Sequence, residues 1–203
     1  MSNVYFNGFV LTLGLIMAIG AQNAHVLRQG LRGEHVLLTV SVSALCDMLL
    51  ITLGIAGLGS LFVASPDLMT AARYGGAAFL IWYGARALLA AVRGGRAVDV
   101  SEHKRMSRGQ ALLAAAGFSL LNPHAYLDTV VLLGSIGSQQ ADDLRPLFAA
   151  GAITASIVWF VLLGYGARLL VPLFSRPMAW RVLDALVALM LWGIAASLLL
   201  AGR

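Results

Sequence analysis

The chain has 203 residues, of which 60% are hydrophobic and only 11% are Asp, Glu, Lys or Arg, and its mean hydropathy is +0.85. A soluble domain carries about 25% charged residues, so this balance excludes a water-soluble fold and marks an integral membrane protein. The net charge of +5 is scattered through short connections instead of covering one face, which argues against nucleic acid as a partner.

From the N-terminus, no Lys or Arg precedes Arg28. The cationic start of a signal peptide is therefore missing, and the first apolar segment is expected to stay in the mature chain. Apolar segments near or above the roughly 20 residues that cross a bilayer fall at about 4–27, 36–63, 69–92, 109–138, 146–171 and 182–201. They predict an all-α, polytopic membrane protein of six transmembrane helices. The connection from Arg93 to Gly109 has a Gly pair, charges and no apolar periodicity, the marks of a solvated linker. It divides one transmembrane domain, 1–203, into halves of about 1–93 and 109–203 joined by a linker at 94–108.

Arg28 and Arg32 follow helix 1, Arg93, Arg96, Lys104, Arg105 and Arg108 follow helix 3, and Arg168, Arg176 and Arg181 surround the turn between helices 5 and 6. The positive-inside rule makes these connections cytoplasmic and both termini extracytoplasmic. With three helices in each half, the second half enters from the opposite side, so related halves would form an inverted repeat. Sliding by about 100 residues pairs Gln22 with Asn122, Asn23 with Pro123 and Arg28 with Asp128.

Gly20, Gln22 and Asn23 in helix 1, and Asn122 and Pro123 in helix 4, are poor helix formers at membrane depth. Open backbone in hydrocarbon costs several kcal/mol per group. Such interruptions persist where they line a cavity, and paired interruptions in two halves point to a transporter's binding site; a proline kink with amides tying helices together is the plainer alternative. Asp47 follows eleven uncharged residues, Val36 to Cys46, and precedes a long apolar run. Asp128 is similarly deep in helix 4. An aspartate at a helix centre costs about 2.5–3.5 kcal/mol on insertion scales, so each is expected to face the bundle interior and to bind a cation, hold a proton or pair. His124 can relay protons or take a hydrogen-bonded packing role, and Tyr126 is placed to touch substrate. Asp184 is expected to pair with Arg181 three residues before it, while His25, His35 and His103 read as solvated or interfacial. Cys46, the single cysteine, reads as packing, and most of Trp82, Trp159 and Trp192 read as packing or lipid contacts.

Two aspartates and a histidine are too sparse for a transition-metal site: there is no intramembrane His-x-x-x-His, cysteine cluster or Glu-rich helix. Neither a nucleophile pattern nor a phosphate-binding Gly loop occurs, so the sequence predicts no enzyme, no cofactor and no resident metal. Gly54, Gly57 and Gly59 allow close helix approach within the bundle or between protomers of a homo-oligomer.

The blocks "GAQNAHVLRQGLRGEHVLL" from Gly20, "SALCDMLLITLGIAGLG" from Ser43, "RYGGAAFLIWYGARAL" from Arg73, "LNPHAYLDTVVLLG" from Leu121 and "WRVLDALVALMLWGIAASLLL" from Trp180 resemble the lysine exporter (LysE/ArgO) family of basic amino acid exporters. The match runs along nearly the whole chain, and the first and fourth blocks are the specific ones. That family usually reads Gly-Pro-Gln-Asn in the first block; Ala21 stands in the proline's place here, which weakens the expected break in helix 1. The resemblance implies export of L-lysine, L-arginine or both from the bacterial cytoplasm across the inner membrane, without ATP. A cationic amino acid needs a carboxylate partner, and its zwitterionic head suits exposed amides and helix ends. The candidate substrate-binding or coupling residues are Asp47, Asp128, Gln22, Asn23, Asn122, Pro123, His124 and Tyr126, with membrane lipid as the surrounding partner. The alternative is an exporter of neutral amino acids or other small metabolites on the same scaffold. More distant alternatives are a metal transporter and a non-transporting scaffold or sensor.

Overall fold

In the computed structural model, residues 2–17, 20–58, 66–92, 106–121, 125–175 and 177–200 are described, and they are helical almost throughout. The elements in chain order are α1 (Ser2–Ile16), α2 (Ala21–Arg32), α3 (Val36–Leu53) with a π-helical extension Gly54–Leu58, α4 (Pro66–Val92), α5 (Arg108–Leu120), α6 (Tyr126–Ser138), α7 (Arg145–Gly166) continued by a 3₁₀ segment Ala167–Ser175, and α8 (Pro177–Leu200). The first eight residues of α6, Tyr126–Leu133, form π-helical turns.

Four stretches, Val36–Gly57, Arg73–Val92, Arg145–Pro172 and Met178–Leu200, are long and apolar enough to cross a membrane, and a fifth is reached if the bent pair α1–α2 counts as one span. The fourth expected segment, 109–138, is not one continuous helix. It is split into α5 and α6, of which α5 has 13 residues; at 1.5 Å per residue that is about 20 Å, short of the ~30 Å hydrocarbon core. The remaining segments lie close to their expected places, although α2 runs on to Arg32. Most of the linker, from 93 to 105, and Gly59 lie outside the described residues.

Local chemistry sets the boundaries. Gly33 (φ 65°) caps α2 in the left-handed conformation, its N–H returning to the Gln29 and Gly30 carbonyls, a geometry that glycine adopts without penalty. Ser107 and Gln110 form a reciprocal capping box at the start of α5, with backbone-to-side-chain distances of 3.0 and 3.2 Å. Pro146 starts α7 where no intrahelical donor is needed.

The most extensive helix contacts pair α4 with α8 and α1 with α7, and α3 lies between α5 and α7. One apolar cluster joins Ala24, Leu80, Tyr83, Phe118 and Leu191. A second joins Ile51, Leu133 and Phe148, and a third joins Val26, Val40 and Phe160. Leucines such as Leu37, Leu113, Leu162 and Leu189 point outward, which suits a chain surrounded by lipid tails instead of water.

The helices approach closely through small residues. A Cβ on Gly8 would strike the Phe148 carbonyl, and one on Gly151 would strike the Tyr5 carbonyl. In lipid, where apolar side chains gain little by leaving solvent, such backbone approach is a main source of helix association. Basic residues gather at one end of the bundle. There Arg28 meets Asp184, Arg32 lies over Trp180, Arg181 Nε donates to the Ala91 carbonyl at 3.0 Å, and Gly33, His35, Arg108 and Arg168 line one cavity. At the junction of α6 with α7, Arg145 Nε donates to the Ser138 and Gln140 carbonyls.

Gly8→Val and Gly151→Val are each expected to destabilise the purified protein by about 1–3 kcal/mol, the usual range for overpacking. Gly14, with nothing within 4 Å of its would-be Cβ, is the control, and Gly14→Val should melt close to the parent. Equal losses at all three positions in a detergent melting experiment would contradict the α1–α7 contact.

Candidate functional site

The break in helix 1 is present without a proline. α1 and α2 are bent by 82° to each other, and Gly20 sits before α2 in an extended conformation (φ −116°, ψ 178°). Asn23 spans this break: its Nδ2 donates to the Ile16 carbonyl at 2.6 Å, and its Oδ1 accepts from Trp159 Nε1 at 3.1 Å. The amide thus satisfies a carbonyl that an uninterrupted helix would have used, which is how broken backbone survives in a membrane. Tyr126 does the same at the second break, where its hydroxyl donates to the Leu120 carbonyl at 2.8 Å. Asn122, Pro123 and His124 lie outside the described residues.

Asp47 is enclosed, with 7% of its surface exposed. Gln22 Nε2 donates to its Oδ1 at 3.3 Å, and Ser156 Oγ donates to its Oδ2 at 3.0 Å. Three elements therefore meet at one carboxylate: α2 just beyond the break, α3, and α7. Both donors are neutral, and Asp47 makes no ion pair with a described residue. An enclosed carboxylate without a cation is chemically unfinished: it can take up a proton or accept a cationic ligand. Along α3, Thr39 and Ser43 precede Asp47 at four-residue intervals; both are fully buried, and neither hydroxyl has a hydrogen-bond partner among the described residues. Residues four apart share a helix face, so a polar stripe runs from the basic end of the bundle to Asp47.

Asp128 differs from the expectation that it lies deep and faces the interior. It is exposed, in the first turn of α6. α5 ends at Leu120, Ala125 is already helical (φ −61°, ψ −36°), and Asp128 lies in the first π-helical turn of α6. The π-helical turns of α6 and of the α3 extension pack together: a Cβ on Gly54 would lie 2.9 Å from Val130 Cα, and one on Gly134 would lie 2.7 Å from Gly54. π-helical turns inside α-helices occur often at functional sites.

Two further expectations are corrected. Asp184 pairs with Arg28 at 3.1 Å, not with Arg181, whose guanidinium is committed to Ala91. His25 is not solvated: it is 3% exposed, sits 4.9 Å from the Phe118 ring and has Nδ1 3.3 Å from the Tyr83 hydroxyl. Ser156, Trp159, Thr39 and Ser43 were not among the sequence candidates. The hydroxyl stripe was visible in the four-residue spacing; the partners on α7 carry no local signal. Among the described residues no group of three or more His, Cys, Asp or Glu side chains could hold a metal ion.

Comparison with known proteins agrees with this architecture. The chain is 44% identical over 191 residues to "Putative amino-acid transporter YggA" of Aeromonas salmonicida, covering 94% of this chain and 93% of the relative. It is 41% identical over 198 residues to "Arginine exporter protein ArgO" of Yersinia enterocolitica and 40% identical over 198 residues to that of Serratia proteamaculans, in both cases covering 98% of this chain and 97% of the relative. No solved structure matches the chain. The relatives' names are those of transporters, not enzymes, and together with the apolar helices they make this a multi-pass membrane protein. The family described as "LysE type translocator" matches residues 13–202, and the chain belongs to it.

Proposed function

We propose that this chain is a secondary transporter that exports basic amino acids, L-arginine, L-lysine or both, from the cytoplasm across the bacterial inner membrane. The observation that carries the proposal is Asp47, a buried carboxylate with only neutral donors, beside a broken helix. It offers the charge that a guanidinium or ammonium needs and that a neutral amino acid does not. Gln22, on the same carboxylate, helps orient the cation. Asn23 and Tyr126 bridge the two breaks, and Asn122, Pro123 and His124, by their place in the sequence between α5 and α6, are further candidates for contact with the substrate. Asp128, at the N-terminus of α6, serves as the second carboxylate, so that one acid meets the side-chain cation and the other carries a coupling proton. Thr39 and Ser43 line the approach from the basic end. The relatives named arginine exporter support the basic branch over an exporter of neutral solutes.

The same proposal takes α5 and α6 together as one broken span, giving six passes in two inverted halves. Three correspondences support it. Asn23 to Ile16 across the first break matches Tyr126 to Leu120 across the second. The contact of Gly30 with Gly164 matches that of Gly134 with Gly54. The pair Asp47–Ser156 joins the second helix of one half to the second helix of the other. These matches shift the register of the first helices to about 104 residues (Ile16 to Leu120, Gly30 to Gly134), in place of about 100, and lengthen it to about 110 for the second (Gly54 to Gly164). Six passes put both termini on the side away from the basic end, which the positive-inside rule makes extracytoplasmic.

Topology is checked with single cysteines at Gly109 and Asp143 after Cys46 is replaced. Six passes place these on opposite sides, so a membrane-impermeant thiol reagent added to intact cells should label the second and not the first; labelling of both or neither would contradict the crossing by α5–α6.

Function is checked by counterflow in proteoliposomes with radiolabelled arginine, lysine, leucine and manganese. Arginine or lysine should exchange, leucine and manganese should not, and Asp47→Asn should abolish exchange while leaving the protein folded and inserted. Leucine exchange equal to that of arginine would favour the neutral-solute alternative, and a parental rate in Asp47→Asn would make that residue structural.

A third expectation concerns Asp128. With the cation on Asp47, Asp128 is the proton-carrying acid, so Asp128→Asn should reduce net export of arginine, lysine and any residual export of uncharged citrulline alike. Loss confined to arginine and lysine, with citrulline spared, would move the cation contact from Asp47 to Asp128.

A further inference from the structure

A cavity of about 620 Å³ opens at the basic end of the bundle, between the start of α3, the start of α5 and the end of α7. That volume lies within the roughly 300–1,000 Å³ of small-molecule sites. Its polar rim holds Arg108, Arg168 and His35, and no acidic side chain among the described residues lines it. Both arginines are exposed and make no ion pair with a described residue, so their charge is available to a ligand. The floor includes the first turn of α3, Val36 to Leu38, whose N-cap His35 makes no side-chain capping bond. His35 instead donates from Nε2 to the Met106 carbonyl at 2.7 Å, which ties the α2–α3 turn to the segment before α5 and fixes the cavity's rim.

The other wall is apolar and faces outward. Leu37 is 68% exposed and Tyr165 is 39% exposed, and Leu45 and Leu49 continue the outward face of α3 at four- and eight-residue steps from Ser41. On α7, Val161 and Val158 continue the face that begins at Tyr165. A basic rim that passes directly into a lipid-facing apolar flank, with a tyrosine at the boundary, has the profile of a phospholipid lying upright against the protein. A free phosphate or a nucleotide would use the rim and leave the flank without purpose.

We propose that this cavity binds the phosphate headgroup of an anionic phospholipid, with Arg108 and Arg168 holding the phosphate and the outward faces of α3 and α7 taking the acyl chains. Because the site joins α3, α5 and α7, a bound lipid braces the ends of α3 and α7, which carry Asp47 and its donor Ser156.

The test uses the purified full chain in detergent, with phosphatidylglycerol and phosphatidylcholine of identical chains added at equal concentration and the retained lipid counted by native mass spectrometry. The parent should retain phosphatidylglycerol over phosphatidylcholine by about tenfold or more, since each surface arginine near an anionic headgroup contributes on the order of fivefold. The double variant Arg108→Gln/Arg168→Gln should fall close to parity, with its melting temperature in phosphatidylcholine alone unchanged, and Arg73→Gln, a substitution of an arginine that does not line the cavity, should keep the preference. An undiminished preference in the double variant would overturn the proposal. Displacement of the lipid by glycerol 3-phosphate at millimolar concentration would overturn it too, by showing a site for a free phosphate.

Discussion

A backbone carbonyl without a partner costs several kcal/mol in hydrocarbon, and this chain interrupts its apolar helical course twice, between α1 and α2 and between α5 and α6. The structure depends on how those interruptions are satisfied. Asn23 reaches back to Ile16 and Tyr126 reaches back to Leu120, so each break is closed by one side chain from the helix that follows it. The bend that results turns α2 so that Gln22 meets Asp47 on α3, and Trp159 on α7 holds Asn23 from the other side. Without the break, α2 would continue the line of α1 and the carboxylate would lose one of its two donors.

Asp47 then has an environment that is complete for neutral ligands and incomplete for charge. Its two hydrogen bonds come from an amide and a hydroxyl, while Arg28, at the basic end of the bundle, is occupied by Asp184. That separation suits the proposed transport of a cation. A fixed arginine on Asp47 would have to be displaced at every cycle, whereas neutral donors can rearrange at the cost of hydrogen bonds worth about 1 kcal/mol each.

Much of this was legible in the sequence, for identifiable reasons. Hydropathy located the apolar segments because lipid imposes a length and a composition. Gly20, Gln22 and Asn23 announced the first break even with Ala21 in place of proline, because the amide of Asn23 supplies the satisfaction that a bent backbone requires. Asp47 stood out against the uncharged run before it. What was hidden follows equally from physics. Hydropathy reads 109–138 as one segment, so Asp128 looked central, but the segment is split into α5 and α6 and Asp128 is exposed in the first turn of α6. Asp184 was assigned the arginine nearest in sequence, and the actual partner, Arg28, comes from a helix more than 150 residues away. Ser156 and Trp159 could not be singled out, since a serine and a tryptophan in an apolar helix gain meaning only from what faces them.

The most direct test of the account is calorimetric binding to the purified protein at neutral pH, comparing arginine with citrulline, which differs at the end of the side chain by the loss of the charge. Arginine should bind at least tenfold more tightly than citrulline to the parent, and that difference should disappear when Asp47 is replaced by asparagine. Equal affinity for the two ligands in the parent, or an undiminished difference in the variant, would contradict a cation site at Asp47.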